Sequence, residues 1–275
     1  MKPPLLLIGQ GSLDDGGSAE FGRFVHRLRC RLDKTAADVS GGYLAKARPR
    51  LSDSIASLVA RGHHRMVALP LSLAGDLRTG TEIAAAMARE QELHPTLAYD
   101  YGRPLGCDPR LLALLAERLA DAAAEVPRLR LVAAGGGLLD EGPEEIGLGE
   151  TAVVLVGDGS GDPMVNADVH GVSRLFWETH AHAYMTVETA FASLARPGVP
   201  GGIERCRRLG ARRVIVLPYL LFAGGLLERV WGQAMAYAAG HPDLDVRCAE
   251  AIGDCEGLAD VVVERYEEAL ERAAR

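Results

Sequence analysis

Two short segments of the chain carry residue types that let a backbone meet a ligand: Gly9-Gln10-Gly11-Ser12 and Gly157-Asp158-Gly159-Ser160. Glycines there allow a ligand to approach the main chain closely, and a helix that follows offers unpaired N–H groups. Neither copy is a GxGxxG fingerprint or a Walker A loop, so two meanings stand: a phosphate cradle, or a tight strand-to-helix turn with a capping Ser. Histidine is the next chemistry-bearing type. His180-Ala181-His182 would offer two imidazoles to a metal if extended, although a solvated surface pair is the commoner meaning of such spacing. The cysteines, Cys30, Cys107, Cys206, Cys248 and Cys255, are odd in number and include no CxxC or CxH pair. That spacing supports neither a zinc site nor a disulfide framework. Reduced, buried thiols in a cytoplasmic protein are the expectation.

The elements that position the two glycine segments repeat. Adding 148 carries Gly9, Gly11 and Ser12 onto Gly157, Gly159 and Ser160, and Asp14 onto Asp162. The same step carries Ala47-Arg48-Pro49 onto Ala195-Arg196-Pro197, Gly62 onto Gly210 and Leu69-Pro70 onto Leu217-Pro218. Later the step becomes 147, taking His94-Pro95 to His241-Pro242 and Gly106 to Gly253. One step held this long marks an internal duplication.

Each copy alternates strand and helix. Leu5–Gly9 is a short apolar run closed by glycine, the pattern of a buried parallel strand. Phe21, Phe24, Val25, Leu28 and Leu32 recur at helical spacing over 18–32. A second strand is expected at 39–44, a helix after Pro49 that stops at Gly62, a third strand at 66–73, a helix over 81–92, a strand at 97–101 and a helix over 109–124. The second copy repeats the order and ends in a helix over 258–274. Such alternation predicts α/β units, each with a parallel four-stranded sheet between two helix layers. The domain reading is a unit over 1–125, a Gly- and Glu-rich linker over 126–150 and a second unit over 151–275. Gly135-Gly136-Gly137 and the acidic stretch 140–150 are read as flexible, and 129–134 as a short strand.

The bulk composition narrows the partners. With 48% apolar and 24% charged residues the chain is globular, and a formal charge of −7 disfavours a nucleic-acid backbone as partner. No apolar run approaches the ~20 residues that span a bilayer, so no membrane partner is expected. The opening MKPPLLLIGQGS runs into a glycine turn, the mark of a first strand rather than a signal peptide. In open parallel sheets ligands bind at the carboxyl ends of the strands. The site is therefore expected between the loops after the first and third strands.

The layout VLVGxGSxDPxxNxD over 154–168, VExAFxxLARP over 187–197 and LGxRRVIVLPYxLFxG over 209–224 resembles the CbiX-type sirohydrochlorin chelatases in their long, tandem form. The first half carries the same pattern more loosely. The resemblance implies two tandem chelatase-like units of flavodoxin or Rossmann type. It implies a lyase of the cobaltochelatase or ferrochelatase type, acting on a tetrapyrrole on the way to cobalamin or siroheme. The divalent metal, Co²⁺ or Fe²⁺, enters as substrate, and no organic cofactor is implied.

Such chemistry needs an ion held with an open position, a base for the two pyrrole protons and cations for the macrocycle's carboxylates. The resemblance places a metal-binding His between the two glycines, where this chain has Gln10 and Asp158. It places a second His where this chain has Arg78 and Leu226, and a second-strand Glu at Glu188, with Ser40 in the first half. Asp158 and Glu188 are thus the candidate metal ligands and catalytic carboxylates. Gln10, Gly11, Ser12, Arg78, Gly159 and Ser160 are the candidate substrate-binding residues, and Arg48 and Arg50 further candidate cations. His63, His64, His94, His180, His182 and His241 precede strands, and so are expected at the amino ends of the sheets. His26 and His170 fall in first helices. Three functions remain open: an active chelatase with an altered site, a non-catalytic tetrapyrrole- or metal-binding relative, and another ligand-binding activity on a duplicated fold.

Overall fold

The computed structural model describes residues 2–10, 15–33, 37–44, 47–73, 77–124 and 146–274. The first half runs β1 (Leu5–Gly9), α1 (Asp15–Leu32), β2 (Val39–Tyr43), α2 (Leu51–Ala60), β3 (Arg65–Pro70), α3 (Leu77–Leu93), β4 (Ala98–Tyr101) and α4 (Pro109–Ala124). The second runs β5 (Thr151–Gly157), α5 (Pro163–His180), β6 (Val187–Phe191), α6 (Val199–Arg208), β7 (Arg213–Pro218), α7 (Gly225–Ala239), β8 (Asp245–Cys248) and α8 (Glu256–Ala273). Both sheets are parallel, in the orders β2-β1-β3-β4 and β6-β5-β7-β8. The strand expected at 129–134 and the three glycines after it lie outside the described residues. The end of the expected flexible stretch is ordered: Leu148–Glu150 form a 3-10 turn, and Glu150 pairs with Arg212 at 3.1 Å.

The duplication is written into the strand register. Leu5 pairs with Val39 and Val67, and Val153 pairs with Val187 and Ile215, each partner displaced by the same 148. Arg65 pairs with Ala98, whereas Arg213 pairs with Asp245, so the one-residue slip falls between β7 and β8. Gly62 and Gly210, just past α2 and α6, take φ of +88° and +98°, as helix-ending glycines do. The Arg48-Pro49 and Arg196-Pro197 bonds are both cis.

The central strands explain their apolar runs, since every residue of β1 and β5 is buried. Alternate side chains go to two cores. Leu6 and Ile8 face outward onto α2, beside Ile55 and Leu58, and Val154 and Val156 face outward with Ile203 and Cys206 of α6. Leu5 and Leu7 face inward, and so do Val153 and Leu155, into one core that runs through both halves. Among the cysteines only Cys206 is buried. Burial pushes its thiol up to about 12, while Cys30 on the outer face of α1 and Cys107 in the loop after β4 are exposed, which corrects the expectation of buried thiols.

The shared core arises because the last helix of each half is exchanged. α4 packs on β7 and β8, and α8 packs on β3 and β4. Each helix is then fastened across the exchange. Arg247 of β8 donates to the carbonyls of Ala122 and Ala123 at the end of α4, at 3.2 and 2.5 Å. Tyr266 of α8 donates to the Pro3 carbonyl at 2.6 Å. Asp108, which accepts the Arg110 N–H at the start of α4, meets Arg265 of α8 at 2.7 Å, with side chains only 5% and 4% exposed. The two units therefore do not close on themselves.

Separating the halves at the 125–150 segment should leave each with an uncovered sheet face and an unhoused helix. Each half expressed alone is expected to be insoluble or poorly folded by circular dichroism, and the two co-expressed are expected to copurify. Replacing Arg265 with Met leaves a buried carboxylate held by Arg110 alone, for a loss of about 3 kcal/mol in urea denaturation at neutral pH. Hydrogen bonds from Arg110, together with the charge of Arg265, hold the Asp108 carboxyl down at about 2, against 3.8 for a free side chain. This depressed group contributes about 2 kcal/mol that is fully present above pH 3.8 and lost as pH falls through about 2. Asp108→Asn should flatten that part of the stability–pH curve.

Candidate functional site

The carboxyl ends of the two sheets face each other across a cleft of about 810 Å³. That is within the size range of pockets that enclose a medium-sized organic ligand. Gly9 and Gln10 follow β1 on one wall, and Gly157, Asp158, Gly159 and Ser160 follow β5 on the other. Tyr43 closes the end of β2, and its ring leaves no room for a Cβ at Gly9. The loop after β7 crosses to the first half. Phe222 packs against Phe21 and Phe24 of α1 at ring separations of 6.1 and 5.6 Å. Glu20 accepts the Ala223 N–H at 2.6 Å and the Asp254 N–H at 3.2 Å.

The second-half wall is a closed hydrogen-bonded clasp. The Ser193 N–H donates to the Asp158 carbonyl at 2.8 Å, and its hydroxyl to the Asp158 carboxylate at 2.9 Å. Gly159, at φ +94°, lies so close to the Ser193 carbonyl that a Cβ would collide with its oxygen. Leu194 holds φ +51°, unusual for a branched side chain, and projects 83% exposed into the cleft. Ser160 is not the helix cap suggested by its position. Its N–H and carbonyl are engaged by the Asn166 amide at 2.9 and 2.8 Å, and its hydroxyl accepts the Asp162 N–H at 3.0 Å. The cap of α5 is Asp162, whose carboxylate accepts the Met164 N–H, with Pro163 in the first turn.

Asp158 and Glu188 are not brought together. Asp158 follows Gly157, which pairs with Phe191, while Glu188 pairs with Val154. Four strand positions separate their levels, about 13 Å along the sheet. Glu188 also shares its face of β6 with Ala190, toward α6, where Arg205 reaches it at 3.9 Å. One ion cannot bridge that span with bonds of ~2 Å. Gly11 and Ser12 lie outside the described residues, as does the side chain of Arg78. Arg48 and Arg50 are exposed beside Pro49 and do not line the cleft.

The histidines fall where the strand order puts them. His63 and His64 precede β3, His94 precedes β4, His180 and His182 precede β6, and His241 precedes β8, all at amino ends. Among the described residues no histidine lines the cleft, and no group of three His, Cys, Asp or Glu is placed to hold a metal ion. Reasoning from sequence passed over several residues that build the site. Tyr219 follows β7, is 4% exposed, and shares its single O–H between the Leu73 and Gly106 carbonyls of the other half, at 3.3 and 3.4 Å. Burial raises its phenol well above the usual range, so it stays protonated and donating. Glu82 and Arg89 of α3 line the first-half wall.

Two open parallel sheets facing across one cleft, the second built as a copy of the first, define a tandem chelatase-like α/β protein. The CbiX family model matches residues 4–122 and again 152–269, and the chain belongs to that family. The sirohydrochlorin cobaltochelatase of Priestia megaterium is 31% identical, over 97% of this chain and 80% of that one. A sirohydrochlorin ferrochelatase of the same organism is 25% identical, over 82% of this chain and 76% of its own. Among solved structures, SirB from Bacillus subtilis with Fe³⁺ shares the fold at a TM-score of 0.74 and 22% identity, covering 100% of this chain and 98% of its own. CbiX, the terminal enzyme for siroheme biosynthesis in denitrifying bacteria, shares it at 0.59 and 18%, covering 97% and 99%. Among the described residues no helix is long and apolar enough to cross a membrane.

Gly159→Ala tests the clasp. A Cβ there meets backbone and a left-handed φ together, so a loss of about 2–4 kcal/mol is expected in thermal or urea denaturation. Gly161→Ala, where a Cβ meets open space, should cost far less.

Proposed function

We propose that this chain is a tetrapyrrole metal chelatase that inserts Co²⁺ or Fe²⁺ into sirohydrochlorin, toward cobalamin or siroheme, with the macrocycle seated in the cleft between the halves. The observation that carries the reading is the 31% identity, over 97% of the chain, to a sirohydrochlorin cobaltochelatase. The cleft supports it. Glycine-lined loops on both walls admit a flat ligand edge to the backbone, and Tyr43 and Phe222 add apolar surface. Arg89 lines the cleft, and in this reading it pairs with a macrocycle carboxylate.

The reaction exchanges two pyrrole protons for one divalent ion. Asp158 is the carboxylate of the expected pair that faces the cleft, and in this reading it takes up a leaving proton or steers the incoming ion. Ser193 fixes its orientation. Glu188, on the α6 side of its sheet, stands apart from this step. The absence of histidine from the described cleft supports a second reading, a non-catalytic relative that binds the tetrapyrrole without metallating it.

Mixing the purified chain with sirohydrochlorin and Co²⁺ or Fe²⁺, against a protein-free control, separates the two in the visible spectrum. Accelerated metallation is expected, with Asp158→Asn slowing it by about tenfold or more. Glu188→Ala is expected to stay within about threefold of the parent rate. A shifted pigment spectrum with no gain in metallation rate would sink the first reading and favour the second.

A further inference from the structure

The outer face of α1 carries two donors that the cleft does not use. His26 and Cys30 are four residues apart, on one face of the helix, and both are exposed. The imidazole Nε2 lies 3.6 Å from the thiol Sγ. A tetrahedral ion bonded to one thiolate at ~2.3 Å and one imidazole at ~2.0–2.1 Å needs those donors about 3.5–3.6 Å apart. The observed separation is that bite, reached with no rearrangement of the helix.

The surroundings leave room for an ion and its remaining ligands. His26 and Cys30 line an open groove of about 910 Å³ between α1 and the start of α8. Ala19 and Gly22, one to two turns earlier, keep its floor low, and Gly22 has nothing within 4 Å of where a Cβ would stand. Arg23, Arg27 and Arg31 of α1 also face this region. Arg27 pairs with Asp254 at 2.6 Å and with Glu256, and Arg31 with Glu256 at 3.1 Å and with Asp260. The charges of Arg27 and Arg31 are thus met by the carboxylates of Asp254, Glu256 and Asp260.

We propose that His26 and Cys30 form a two-donor site for a divalent cation of the Co²⁺ or Zn²⁺ class, separate from the cleft. Thiolate with imidazole selects these ions over Mg²⁺ or Ca²⁺. Binding releases the thiol proton to solvent, and the neutral imidazole supplies its lone pair. Among the described residues no third His, Cys, Asp or Glu completes the set, so water fills the other positions and the ion exchanges readily. Without metal, the same pair is joined by a thiol–imidazole hydrogen bond.

The test does not depend on the chelatase reaction. Co²⁺ alone is titrated into the whole chain, reduced with a phosphine, and the absorption spectrum is followed. A sulfur-to-cobalt charge-transfer band is expected, absent in Cys30→Ser and retained in Cys107→Ser. His26→Ala should weaken the affinity by about tenfold or more. No such band up to about 1 mM Co²⁺, or one of equal strength in Cys30→Ser, overturns the proposal. Both positions are exposed helix surface, and unchanged circular dichroism confirms that each variant is folded.

Discussion

Reciprocal exchange of the last helices is the constraint on which the rest of the molecule depends. α4 covers the second sheet and α8 the first, so the inner faces of both sheets are buried in one core. Neither half can relax its inner face without exposing the other's. The buried Asp108–Arg265 pair sits at the crossing point. A buried ion pair is weak evidence of net stabilisation, but it is costly to mismatch. Its place between the start of α4 and the middle of α8 suits it to setting the register of the two helices.

The cleft follows from that packing. Because the sheets share a core, the carboxyl ends of their strands are set facing one another, and the walls are joined by direct bonds. Tyr219 reaches from one half to two carbonyls of the other, and Glu20 holds two backbone N–H groups across the same boundary. Adjustment around a ligand is therefore left to loops rather than to a hinge between halves. Leu194, exposed and held at a positive φ on the rim, is the residue whose backbone the surroundings most evidently constrain.

Much of this architecture could be read from the residues. β1 and β5 announce themselves as unbroken apolar runs because both faces of a central parallel strand are covered. The constant step between copies carried through to the strand register, since equivalent residues meet equivalent partners. The helix exchange was not legible. The periodicity of Leu111, Leu115 and Leu119 says that α4 buries a face, and nothing in it says which sheet receives that face. Pairing Asp158 with Glu188 failed for a reason the sequence did contain. Period two along 187–191 sets Glu188 with Ala190 and against Phe191, and so turns it away from the inner face. Tyr219 was missed because an isolated Tyr after a strand is not by itself a signal; its role comes from the other half of the chain.

The two first-strand loops stand on opposite walls of one cleft, one with Gln10 and the other with Asp158. In an assembly of two identical chains, any change to this loop would appear on both walls at once, and a loss of function on one would be a loss on both. Joining the copies in a single chain removes that linkage. Each wall can then carry its own chemistry, as Gln10 and Asp158 do. The frame, by contrast, stays bound to symmetry, because each exchanged helix must still fit the sheet of its counterpart.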